Sequence, residues 1–213
     1  MVTHQKQRGA ALIVSLIILT LVTVIGISGM QTASTELKMI ASAKDRTIAF
    51  EAAESALVAI EKLLEATPPN ESNLYSTCSN NDCFNTSCSG GRCFAGEFIP
   101  GSERSHCSVA DYQASKAPEF WKDTDLDVWN IANKHQTITV DGLNQPVKYI
   151  VEFMCYAKLN SEYDFGLNTE TDNENYSENE MYMPLFRITT LAEGNAKRAT
   201  VILQSTYKIV ESS

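Results

Sequence analysis

The sequence predicts an α+β chain in which a long N-terminal helix lies on an antiparallel β-sheet of about four strands, and three observations predict it. Residues 10–30 form an apolar run without a single charge. No Pro or Gly occurs from 31 to 67, so the helix signal continues past that run. Beyond it, alternating β-branched and aromatic segments are separated by turn residues. The chain has 213 residues and 23.5 kDa, room for one ordinary domain with an appendage. Lys and Arg number 17 against 26 Asp and Glu, a net charge of −9. That balance excludes nucleic-acid phosphate as a direct partner, since there is no excess of cation to release counterions. A hydrophobic content of 44% excludes bulk disorder. The expected organisation is a short basic segment over 1–9, an apolar helix over 10–30, its amphipathic continuation over 31–66, and a cysteine-containing globular domain over 67–213.

The 21 positions of the apolar run cover about 30 Å as a helix, the thickness of a bilayer's hydrocarbon core. Lys6 and Arg8 precede it with no acid, so the leader stays cytoplasmic and everything after residue 30 lies beyond the inner membrane. A secretory signal peptide has a shorter apolar core followed by a cleavage site of small residues. A plain signal anchor remains open. The string Arg8-Gly9-Ala10-Ala11-Leu12-Ile13-Val14, a short basic leader ending in Gly against an apolar helix, resembles the class III leader of type IV pilins and pseudopilins. The resemblance implies cutting by a prepilin peptidase between Gly9 and Ala10, then methylation of the new amine. Two positions depart from that family, which usually carries Phe first and Glu fifth in the mature chain; here Ala10 and Val14 stand there. A carboxylate in apolar surroundings is costly unless paired. In the family the glutamate is thought to pair with the amine of the subunit ahead, so its absence points to a minor subunit at the filament tip.

From 31 to 66 alanine is abundant and apolar residues recur at Leu37, Ile40, Ala49, Ala53, Ala56, Ile60 and Leu63. A parallel row, Phe50, Ala53, Leu57, Ile60 and Leu64, has helical spacing. Lys38, Lys44, Asp45, Arg46, Glu54, Glu61, Lys62 and Glu65 are assigned to the opposite face, and Pro68-Pro69 ends the helix. From residue 10 to 66 it is about 85 Å long. Gly26 and Gly29 each cost about 1 kcal/mol of helix stability relative to Ala. They read either as small residues for close helix packing or as a segment that bends or melts when the helix leaves the bilayer for a filament.

The leader string, the block Ala43-Lys44-Asp45-Arg46-Thr47-Ile48-Ala49-Phe50-Glu51-Ala52-Ala53-Glu54-Ser55-Ala56-Leu57 and the tail from Phe186-Arg187-Ile188-Thr189-Thr190 through Gly194-Asn195-Ala196 to Tyr207 resemble PilX-type minor pilins of the type IV pilus. The likeness covers roughly residues 5–65 and 185–208. It implies a pilin-like fold and a protein that primes pilus assembly at the tip with other minor pilins, with a tip adhesin as a further implied neighbour. The major pilin, the prepilin peptidase and, before assembly, the inner membrane are the further implied partners. Twitching motility and cell adhesion would follow indirectly.

All six cysteines, Cys78, Cys83, Cys88, Cys93, Cys107 and Cys155, follow the apolar run. An even number outside the cytoplasm reads as disulfides, and the sequence leaves the pairing open. The competing reading is a thiolate zinc site, but such sites favour closer pairs and reduced thiols. Residues 136–140 and 147–154 read as strands, the second with one face mostly buried, and 185–191 with 200–210 as a hairpin across Glu193-Gly194-Asn195.

No cofactor is expected, with calcium as the alternative. Asp123, Asp125 and Asp127 alternate like calcium-loop ligands, but Val128 replaces the required Gly and Lys134 the final Glu. Asp172, Glu174, Glu178 and Glu180 supply more carboxylates and read as a solvated loop. His4 lies in the leader. His106 adjoins Cys107, a pair that would suit thiol catalysis only if the cysteine were reduced. Trp121 and Trp129 read as packing anchors. No nucleophile, metalloprotease or phosphate-loop motif is present, so the protein is read as no enzyme. Two alternatives stand beside the minor pilin: a tip pseudopilin of a type II secretion system, and a signal-anchored periplasmic Cys/His metal-binding protein.

Overall fold

A computed structural model describes residues 8–94, 105, 107, 119–143, 145–158 and 182–209. One helix, α1, runs Arg8–Ala66 without interruption. It ends where Thr67 N–H closes on the Leu63 carbonyl and Pro68-Pro69 can supply no further donors. Five strands follow: β1 Arg92–Phe94, β2 Gln136–Ile138, β3 Val147–Lys158, β4 Tyr182–Glu193 and β5 Thr200–Lys208. The chain divides into two compact units, Met1–Lys44 and Asp45–Ser213, with α1 contributing to both.

The four expected strands are present and pair antiparallel, and the structure adds a fifth. β3, β4 and β5 form an antiparallel meander, and β2 pairs antiparallel with β3 from Gln136↔Tyr149 to Ile138↔Val147. β1, however, pairs parallel with β3, from Arg92↔Val151 to Phe94↔Phe153. The two short strands thus line β3 end to end, and the sheet is mixed. A parallel partner needs a long crossover rather than a hairpin. The connection from Phe94 to Val147 meets that need, and no short-range pattern advertised it.

Within the second unit, Ala49, Ala52, Ala53, Ala56, Ile60 and Leu64 of α1 are buried in one core with Val147, Tyr149, Val151 and Phe153 of β3 and Phe186, Ile188 and Ala192 of β4. The alanines let helix and sheet backbones approach closely; Thr190 Oγ1 donates to the Ala53 carbonyl across 3.4 Å. Phe153 sits at the centre of an aromatic cluster, with ring centroids at 5.7 Å from Phe94 and Phe186, 5.4 Å from Tyr156 and 6.3 Å from Phe84.

The helical rows need correction. Leu37, Ile40, Phe50 and Leu63, expected on the apolar face, are exposed, and Asp45, expected outside, is buried. The buried face follows Ala49, Ala53, Ala56 and Ile60, and Asp45 lies one turn before that row in the same phase. β3 is buried on both faces rather than one. Ile150 and Met154 belong to a second core with Cys88, Cys93, Cys155, Phe120 and Val128, formed by the cysteine-rich connections. The acidic excursion 168–180, with Asp172, Glu174, Glu178 and Glu180, and the leader residues 1–7, His4 and His106 lie outside the described residues.

Candidate functional site

The feature that demands a partner is the first part of α1. Every large apolar side chain from Leu12 to Met30 is at least half exposed, from 50% at Ile17 to 76% at Met30. Val14, where an acid is expected in the wider pilin class, is 54% exposed. A continuous apolar surface of this kind is unfavourable in water by roughly 25 cal/mol for each Å² exposed. The helix is long and apolar enough to cross a membrane by length and composition.

The four hydroxyls within this run are all turned back onto the helix. Ser15 donates to the Leu12 carbonyl at 2.9 Å, Thr20 to Ile17 at 2.8 Å, Thr23 to Leu19 at 2.7 Å and Ser28 to Val24 at 2.9 Å. Each therefore has a protein partner without help from water, the condition that a lipid or helix-packed environment imposes. Nothing within the described structure approaches within 4 Å of a Cβ built at Gly26 or Gly29, which keeps both free for close approach by an outside helix. Gly9 and Ala10, the expected processing pair, fall inside α1 near its start.

At the other end of the helix, the second unit is tied down by covalent and polar clamps. The structure resolves the open pairing question as Cys78–Cys83, Cys88–Cys93 and Cys107–Cys155. The first two close small local loops, and the third spans 48 residues to hold the cysteine-rich connection against β3. Gly91 adopts φ +73° and lies so close to Gln136 that a Cβ would stand 2.9 Å from its backbone nitrogen. That contact seats the Cys88–Cys93 loop on β2, reinforced by Gln136 Nε2 donating to the Gly90 carbonyl at 2.7 Å.

Two acidic groups are buried, Glu152 and Asp45, the second against the expectation of an exposed face. Glu152 of β3 is fully enclosed and faces its register partner Arg187 of β4, whose Nε and Nη2 donate to the two carboxylate oxygens at 2.7 and 2.8 Å. Thr189 Oγ1 adds a 3.3 Å bond. Bidentate pairing of this kind compensates desolvation of both charges. Asp45 accepts from three backbone N–H groups of the β4–β5 turn: Ala196 and Arg198 at 2.9 Å and Ala199 at 3.2 Å. The Ala196 bond foremost, then those of Arg198 and Ala199 and the Arg198 charge, hold its carboxyl below the ordinary value of 3.8, against the opposing effect of burial. The signal that could have revealed Asp45 is its helical phase; nothing in the sequence signalled the cross-strand register that pairs Glu152 with Arg187.

The residues weighed for metal or catalytic chemistry have local duties. Asp123 Oδ1 caps a turn by accepting from Asp125 and Leu126 N–H at 2.9 and 3.0 Å, and Asp127 accepts from Asn130 at 2.7 Å. His135 Nδ1 donates to the Val128 carbonyl at 2.7 Å. Trp121 and Trp129 pack against the second core. Among the described residues no three His, Cys, Asp or Glu side chains gather to hold a metal ion.

The family described as PilX N-terminal matches residues 8–58, and that described as type IV pilus assembly protein PilX C-term matches residues 41–209. No curated protein and no solved structure matches the chain. The two family matches overlap in the helix and run from the apolar segment to the last strand, so the chain belongs to the PilX family of type IV pilus assembly proteins.

Proposed function

We propose that the protein is a minor pilin that helps to prime pilus assembly and sits at the filament tip with other minor pilins, with a tip adhesin as a further neighbour. The precursor enters the inner membrane with Lys6 and Arg8 inside. A prepilin peptidase cuts after Gly9 and the Ala10 amine is methylated. The apolar helix then exchanges lipid for the helices of neighbouring subunits, the major pilin following behind. The observation that carries this reading is the exposed apolar surface from Leu12 to Met30 with its four hydroxyls satisfied internally. Such a surface tolerates lipid and protein equally, as a subunit that moves between the two requires. The tip position is supported by Val14, which offers no carboxylate to the amine of a subunit ahead. Motility and adhesion would depend on the protein through the filament it starts. Deleting it should sharply reduce surface filaments while the cellular amount of major pilin stays the same; wild-type piliation in the deletion strain would rule out a priming role.

A further inference from the structure

Asp45 is the first described side chain of α1 that is buried, at 4% exposure; every described residue from 33 to 40 and from 42 to 44 is exposed. It is also the first residue of the second compact unit. Its carboxylate fills a cradle of backbone donors. Within the β4–β5 turn, Gly194 N–H donates to the Ala199 carbonyl at 2.9 Å and Lys197 N–H to the Gly194 carbonyl at 2.8 Å, with Lys197 at φ +53°. This fold leaves the N–H groups of Ala196, Arg198 and Ala199 directed at one point, and the Asp45 oxygens occupy it. Gly194 is what lets the carboxylate in, because a Cβ there would collide with both of its oxygens. The turn is joined onward to the β2–β3 connection, where Asn195 Nδ2 donates to the Gly142 carbonyl at 3.2 Å. One carboxylate thus ties the helix to the hairpin turn, and through it to the next connection.

We propose that Asp45 is a latch whose seating in the β4–β5 turn sets the point at which α1 becomes held by the globular unit, leaving the helix before it free to bend or melt without loosening the sheet. The next buried side chain, Ala49, comes one turn later and offers only a methyl group. Removing the carboxylate orphans three N–H groups at once and moves the first point of hold to that turn. The device is independent of where the protein works: it concerns which amides of one helix share the stability of the fold. It would nevertheless suit a subunit whose apolar helix changes surroundings while its head stays intact.

Hydrogen exchange of the full chain in detergent micelles tests the latch. In the wild type, amide protection should rise at least tenfold on passing from residues 33–44 to the turn beginning at Asp45. In Asp45→Asn, which keeps one acceptor, the amides of Ala196, Arg198 and Ala199 should exchange at least tenfold faster, and the rise should move to about Ala49. The amides of β3 should be unchanged. A wild-type rise before residue 41 or beyond Ala49 overturns the proposal without any variant. So does an Asp45→Asn chain whose turn amides and onset match the wild type, or one in which β3 loses protection together with the turn.

Discussion

The two ends of α1 share one secondary structure and are stabilised by opposite means. From Ala49 to Leu64 the buried face is mostly alanine, and its hold comes from close fit against β3 and β4. From Leu12 to Met30 the side chains are larger and more apolar, yet nothing in the described chain covers them. The more hydrophobic segment is thus the less buried. Apolar content shows that a helix requires cover; the distribution of apolar residues around it shows how much of its surface requires it. In this chain a one-sided row of small residues meets its own sheet, whereas a belt of Leu, Ile and Val around the whole circumference has no cover within the described residues.

Changes that violate the external cover should have the largest effect. Leu19→Asp places an unpaired carboxylate in the middle of the apolar run at about 3 kcal/mol for insertion alone. It should abolish filament formation in a complementation assay while the β3 and β4 amides of the detergent-solubilised chain remain protected. Next come the covalent clamps of the head. Removing Cys107–Cys155, which spans 48 residues, should lower unfolding stability by about 4 kcal/mol on loop-entropy grounds, and removing Cys78–Cys83 by about 2 kcal/mol. Denaturant titration of the two double-alanine chains would read the order. A smaller contrast lies within the helix itself. Ile60→Ala should cost about 3 kcal/mol through a cavity in the core. Phe50→Ser, at a side chain 43% exposed, should cost under about 1 kcal/mol. Equal losses would mean that the two rows of the helix are not distinguished by burial.

The smallest effect is expected in acid. Asp45 has its pKa lowered below 3.8 in the folded chain, chiefly by the Ala196 N–H. Its contribution is therefore present above the unfolded value and is lost as pH falls through the lower, folded value. Stability should decline below about pH 4 more steeply in the wild type than in Asp45→Asn, as followed by denaturant midpoint against pH.

The sequence disclosed the helix because an uncharged run and an unbroken alanine-rich stretch are local signals. It disclosed the β4–β5 hairpin because Gly194-Asn195 lies between two β-rich segments. β1 stayed hidden: three residues at the close of the Cys88–Cys93 loop carry no periodicity, and their parallel partner lies far along the chain. The burial of Asp45 and Glu152 was hidden for a related reason. A charged residue reads as exposed until its partner is known, and both partners, a turn backbone and Arg187, are fixed only by tertiary register. In the apolar segment the exposure of Leu12 to Met30 was legible from composition, whereas the return of its hydroxyls to the helix backbone needed coordinates.

Under the proposed function the apolar half of α1 is a processed, shared helix rather than a permanent anchor. N-terminal mass spectrometry of the protein recovered with sheared surface filaments measures this directly. A chain beginning with methylated Ala10, present in the filament fraction and absent from it in a strain without the prepilin peptidase, is the predicted result. A chain that keeps Met1 through Gly9 and stays wholly in the inner-membrane fraction would contradict it.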